Sequence, residues 1–301
     1  MRSQGFFARG RREMLALLVA LSMTTSSAFG ALSLLPVGPR LGTHVGNLVV
    51  NGSFEIGAPL PGPANYVFWA TGTTNVPFGV PLGWTTFGPP SNYAYWGSDG
   101  LVPPSGLAQS DILPDGQAAV YFGNNATLVS LPPVFLPTRE VTFASAPVFS
   151  PMTGGPVVLR QTVPTHLSPA PSYLLSFWVS GEAASLALPT IGDGLFGLRV
   201  TNVLAGDPIQ YFAVPSGSPL GLYGASTRYE FLMTPLNPSL PIDIEFYNWG
   251  HLDLSPFGGP GATEIVLDDV IVNPVPEPST WALFATAAAV GLYGFARRRR
   301  P

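Results

Sequence analysis

Ile242-Asp-Ile-Glu-Phe-Tyr-Asn-Trp249 alternates with a period of two: Ile242, Ile244 and Phe246 fall on one face, and Asp243, Glu245, Tyr247 and Trp249 on the other. A helix would group residues three and four apart and mix the two sets, whereas a strand keeps them apart, so this stretch reads as a strand with one face in a core. Runs of the same kind stand on both sides of it: Leu48–Val50, Ala118–Phe122, Val157–Val163, Tyr173–Val179, Leu195–Val203, Ile209–Val214, Tyr229–Met233 and Glu264–Val272. They are separated by Gly and Pro, of which the 301 residues contain 34 each. Inside a helix each Pro costs about 3 kcal/mol and each Gly about 1 kcal/mol. Nine such strands without a helical signal between them predict an all-β fold, an antiparallel β-sandwich.

Both ends of the chain are apolar and flanked by arginine. Arg2, Arg9, Arg11 and Arg12 precede an apolar stretch from Met14 to Met23, and Ala28-Phe-Gly30 puts small residues at the positions a signal peptidase reads. Residues 1–30 are therefore expected to be a secretory signal peptide, handled by the Sec translocon and signal peptidase. At the other end Trp281 to Ala296 carries no charge and is followed by Arg297, Arg298, Arg299 and Arg300. At ~1.5 Å per residue this run reaches roughly 24 Å, the short end of what a membrane span requires. Trp281 suits one interface and the four arginines the cytoplasmic side, so the body of the chain is expected to lie across the inner membrane from the cytoplasm. A terminal core helix is the competing reading, and a run of four arginines fits it poorly.

Pro276-Glu277-Pro278, the short apolar helix expected over residues 280–296 and the arginine cluster resemble, in order and spacing, the PEP-CTERM sorting signal of Gram-negative bacteria. The resemblance implies recognition by an exosortase, an inner-membrane enzyme that cuts near the tripeptide and passes the protein to the cell surface or extracellular matrix. It covers the last tenth of the chain. Residues 31–46 read as a linker, 47–273 as one β-sandwich domain, and 274–301 as the sorting segment.

Eight of the 13 arginines lie in the two end segments, and the chain has no Lys. Between them stand five arginines and 15 acids, a balance of −10 that excludes a nucleic-acid binder, which needs clustered Lys and Arg for phosphate. The absence of cysteine excludes a disulfide framework and thiolate metal sites.

A second resemblance spans most of the body. Asn47-Leu-Val-Val-Asn-Gly-Ser-Phe-Glu55, Leu82-Gly-Trp84, Pro114-Asp-Gly-Gln117, Leu159-Arg-Gln-Thr-Val163 and Ile265-Val-Leu-Asp-Asp-Val270 follow one another as in galactose-binding-like jelly rolls, which include carbohydrate-binding modules. The resemblance implies a structural calcium ion where first and last strands meet, near Glu55 and Asp268 or Asp269. Alternation supports the position independently: one face of the last strand carries Asp269 among apolar residues and the other carries Asp268. A buried carboxylate needs a cation or a set of backbone donors, and at the level of sequence both remain open. No other cofactor is implied.

A glycan-binding surface needs aromatic faces beside hydrogen-bonding groups. Asp243, Glu245, Tyr247 and Trp249 form one candidate, and the stretch Asn92–Trp96, read as a loop carrying Tyr93, Tyr95 and Trp96, forms another. Packing within the sandwich is the competing reading for both. No catalysis is expected: the three histidines, His44, His166 and His251, have no metal-ligand spacing, and there is no nucleophile elbow or phosphate loop. Two functions follow: an exported protein that binds glycan or exopolysaccharide in a biofilm, or a structural surface protein that contacts proteins or itself without a sugar site.

Overall fold

A computed structural model describes residues 31–36, 41–56, 66–70, 81–88, 93–98, 115–116, 118–124, 134–135, 140–143, 156–167, 170–181, 194–214, 226–251 and 263–275. The expected signal peptide, Pro276–Pro278, the span with Trp281, and Arg297–Arg300 lie outside them. Among the described residues no helix is long and apolar enough to cross a membrane.

The strands are β1 (Ala31–Leu34), β2 (Tyr66–Ala70), β3 (Thr85–Phe87), β4 (Tyr93–Ser98), β5 (Ala118–Asn124), β6 (Val134–Phe135), β7 (Glu140–Thr142), β8 (Val157–Val163), β9 (Ser172–Gly181), β10 (Gly194–Val200), β11 (Gln210–Val214), β12 (Thr227–Thr234), β13 (Ile242–His251) and β14 (Thr263–Val275). They form two sheets, β1-β12-β9-β14-β5-β4-β2 and β3-β8-β13-β10-β11-β7-β6. Every strand pair is antiparallel. From β8 onward the chain repeatedly changes sheet, so strands adjacent in sequence mostly face each other across the core. This is the antiparallel sandwich the alternation predicts.

The core lies between the sheets and is built by the inward residues of each alternating run. Ile242, Ile244 and Phe246 share this core with Phe177, which packs on Phe246 at 5.0 Å, Phe196 at 5.7 Å and Tyr229 at 5.7 Å between ring centroids. Trp84 closes one side against Phe54 at 5.3 Å, and its indole N–H donates to the Asn51 carbonyl.

Three expectations change. Leu48–Val50 leads irregularly into a turn and is not a strand, because its donors go to separate partners: Leu48 N–H to the Val272 carbonyl and Val50 N–H to the Gln161 side chain. Within Asn92–Trp96 the described residues are not a loop, since Tyr93–Ser98 is β4, laddered between β2 and β5. The stretch 31–46 is not a linker in its described part: Ala31–Leu34 pairs with β12 as an edge strand, and residues 41–46 run over the outer face of that sheet, where Leu41 N–H donates to Glu230 and Thr43 N–H to Asn273.

Candidate functional site

β13 sits between β8 and β10 in the middle of its sheet, so its outward residues are flanked on both sides. Register places Glu245 opposite Arg160 on one side and Arg199 on the other. Arg199 grips Glu245 with two nitrogens, at 2.6 Å and 2.9 Å, and the Arg160 Nε stands 3.7 Å away. The Arg160 Nη2 pairs with Asp243 at 2.5 Å, and the Thr162 hydroxyl donates to the other Asp243 oxygen. Tyr247 donates its phenol proton to Glu245 in a very short hydrogen bond. Burial above all, and then that bond, hold the Tyr247 phenol well above its ordinary pKa. The bond to Glu245 pushes the Arg199 guanidinium up as well, against an opposing effect of burial.

Beside this ionic row lies an aromatic one. Tyr247 stacks on Trp249 at 5.9 Å and 12°, Trp249 meets Tyr211 at 5.9 Å, and Tyr211 meets Phe143 edge-on at 5.1 Å. The last three are partly buried and cover Val141, Leu195 and Ala213, a small apolar cluster on the outside of the sheet.

The four residues expected on β13 are therefore brought together, but unequally. Glu245 and Tyr247 are buried and committed to each other and to arginine, while Asp243 and Trp249 remain partly exposed. Arg160, Arg199, Tyr211 and Phe143 were not anticipated. Arg199 alone interrupts an otherwise apolar strand, whereas Arg160 stands beside Gln161 and Thr162, and it is the strand order that carries both to β13. Tyr93, Tyr95 and Trp96 lie on β4 of the other sheet and are not brought to β13.

The second candidate lies at an irregularity of β14. Asp268 pairs with Trp178 and Ile271 with Ser176, so one extra residue is inserted, and Asp269 takes φ of 53°. The bulge shifts the alternation: Ile265 and Leu267 point into the core before it, and Val270 and Val272 after it. Both aspartates are 1% exposed. Asp268 accepts N–H bonds from Asp115 and Asp269, at 3.1 Å and 2.7 Å. Burial drives its pKa well above the usual carboxylate range, with those bonds opposing. Glu55 accepts the Ala118 N–H at 2.7 Å, and a Cβ on Gly116, itself at φ of +66°, would collide with it.

Glu55 and Asp268 thus hold backbone amides, the alternative the sequence leaves open. Asp269 instead shares a site with His44 and Asp115: the His44 Nε2 is 3.4 Å from a carboxylate oxygen of each. One ligand atom from each of the three can be chosen so that all lie within 4.8 Å of one another. One imidazole and two carboxylates fit a divalent ion that takes mixed N and O donors, such as zinc or manganese, better than calcium with its six to eight oxygens.

Residues 274–300 match the PEP-CTERM protein-sorting motif, so the chain carries the sorting signal of an exported protein. No curated protein matches the chain. Among solved structures it is similar to the enzymatically active domain of the bacteriophage CBA120 tailspike protein 4, at 14% identity and TM-score 0.33 over 76% of this chain and 22% of the tailspike, and so spans about a fifth of that protein. It is similar to a cyclase from Fischerella sp. TAU at 15% identity and TM-score 0.38, covering 81% of this chain and all of the cyclase. It is also similar to the family 11 carbohydrate-binding module of Clostridium thermocellum Lic26A-Cel5E at 9% identity and TM-score 0.30, covering 69% of this chain and 98% of the module.

Proposed function

We propose that this chain is a non-enzymatic surface or matrix protein, held at the inner membrane by its C-terminal segment until exosortase processing, which binds glycan through the outward face of β13 and its neighbours. The observation that carries the reading is the juxtaposition on one sheet face of Trp249, Tyr211 and Phe143 with Asp243, Arg160 and Arg199. Aromatic rings offer flat apolar surface to the C–H face of a sugar. The carboxylate and guanidinium groups beside them offer acceptors and donors for its hydroxyls. The Glu245 pairs immobilise the arginines, so little side-chain freedom is lost on binding. The His44–Asp115–Asp269 group is proposed as a divalent-ion site that fastens the N-terminal crossing segment to β14.

The test is retention of purified protein on a panel of bacterial polysaccharides. Retention by at least one, reduced tenfold or more in Trp249→Ala and in Tyr211→Ala with melting temperatures held near the parent value, is the expected result. Absence of retention on every polysaccharide would favour the structural role, in which the same face contacts protein. An EDTA arm separates the two sites, because the sugar face holds no member of the ion site.

A further inference from the structure

The two ends of the described body leave the sandwich side by side. Ala31, the first residue of β1, faces Thr234. Thr234 shares a 3.1 Å hydrogen bond with Ser172, and Ser172 faces Val275, the last residue of β14. Three strand spacings of ~4.8 Å separate Ala31 from Val275, roughly 15 Å. Both apolar terminal segments of the sequence therefore connect to one end of one sheet.

That end has a distinct surface. Its described connections are residues 164–167, 170–171, 201–209 and 235–241, whose only ionisable side chains are His166 and Asp207. The Asp207 carboxylate accepts the Asn202 N–H, and Asp243, one residue into β13, is paired with Arg160. In a body with a balance of −10, these described connections are nearly free of charge. They also carry exposed leucines: Leu167 is 74% exposed, Leu240 50% and Leu236 44%.

The tether is short. Val275 is still laddered to β9, and the sorting match has already begun at residue 274. From Val275 to Trp281, where the apolar run starts, a fully extended chain spans at most about 21 Å. Crossing a headgroup layer takes up roughly 6 Å of that, which leaves the sheet end no more than about 15 Å from the bilayer surface. Residues 164–167 and 235–241 lie beyond the strand ends, on the side of this gap.

We propose that, before processing, this end of the sandwich lies on the periplasmic face of the membrane, with Leu167, Leu236 and Leu240 in the bilayer interface. The inference rests on the anchored intermediate proposed above. Its partner is the lipid surface: an apolar, nearly uncharged face, tied to the bilayer by the chain itself, gains from burying leucine there and loses little through desolvating charge. It also fixes the Pro276–Pro278 segment between the sheet end and the membrane, where an intramembrane processing enzyme meets it.

Because the chain contains no cysteine, single-cysteine labelling tests this directly. The full-length chain carrying Ser239→Cys, Thr227→Cys or Leu283→Cys is labelled with an environment-sensitive fluorophore. It is then placed in phosphatidylethanolamine and phosphatidylglycerol vesicles containing shallow nitroxide lipid. Thr227 lies at the far end of β12, roughly 23 Å from Thr234. The expected result is quenching and a blue shift at 239 and 283 but not at 227, with the quenching at 239 lost in a Leu236→Glu/Leu240→Glu background. Quenching at 283 with position 239 as unquenched as 227, or quenching at 239 that survives the double glutamate change, would overturn the docking and leave the anchor standing. No quenching at 283 would overturn the anchored intermediate and the docking with it.

Discussion

Glu245 shows how a single acidic residue can be kept inside a sheet. Desolvating a carboxylate costs several kcal/mol, and the arginine fork, the second arginine and the tyrosine hydroxyl together offset that cost. Removing one partner leaves the charge buried. Arg199→Met is therefore expected to destabilise the fold by about 2 kcal/mol in urea unfolding, below the ~3–5 kcal/mol of a fully buried pair because Arg160 remains and the guanidinium is part exposed. Adding Glu245→Leu to it should recover most of the loss. Tyr247 gives a pH signature of its own. Its phenol pKa is raised in the folded state, so the fold binds this proton more tightly than the unfolded chain does. That contribution is complete below pH ~10, the unfolded value, and is lost as pH rises above it. Between pH 10 and 12 the melting temperature of Tyr247→Phe should fall less steeply than that of the parent; parallel curves would show that the phenol proton contributes nothing.

At the scale of elements, the last strand depends on a segment from the other end of the chain. The Asn47 amide donates to the Val270 carbonyl and its oxygen accepts the Val49 and Val272 N–H groups, at 3.0, 3.0 and 2.8 Å. A Cβ on Gly52 would collide with the Val270 carbonyl, whose own N–H donates to the Gly52 carbonyl. These contacts satisfy β14 backbone groups beyond Leu267, where its ladder with β5 has ended. Asn47→Ala is expected to cost about 2 to 3 kcal/mol by leaving them desolvated, and Asn47→Asp, which keeps the acceptor, about half as much. The bulge marks the limit of what alternation could tell. Period two located β8 to β14 because each has one face in the core, and a single inserted residue reverses the period without altering composition. Whether Asp268 or Asp269 faced inward was thus undecidable in the sequence, and with it the ion site, which draws His44 and Asp115 from stretches that carry no strand signal. On β13 the alternation holds from Ile242 to Asn248, ahead of an irregularity opposite Gly194 and Phe196, so the candidate face was legible, while its arginines, Tyr211 and Phe143 depended on strand order, which no local pattern records.

At the scale of the whole molecule, the chain has no cysteine, its described residues hold no long helix, and their contacts join residues far apart in sequence. Such a topology gains most from a link that spans it. The His44–Asp115–Asp269 group is such a link, since it ties the N-terminal crossing segment, the turn before β5 and the bulge of β14. A cation bound only in the native state at a hundredfold excess over its Kd adds about 2.7 kcal/mol, and for a domain of this size each kcal/mol moves Tm by roughly 2 to 4 °C. Zinc or manganese is therefore expected to raise the melting temperature by about 5 to 10 °C over the EDTA-treated protein, and His44→Ala should abolish the rise. Calcium, for which imidazole is a poor ligand, should give a much smaller shift. A shift with calcium that persists in His44→Ala would move the ion to an all-oxygen site, and identical melting in every ion and in EDTA would leave the three segments held by His44 and backbone hydrogen bonds alone.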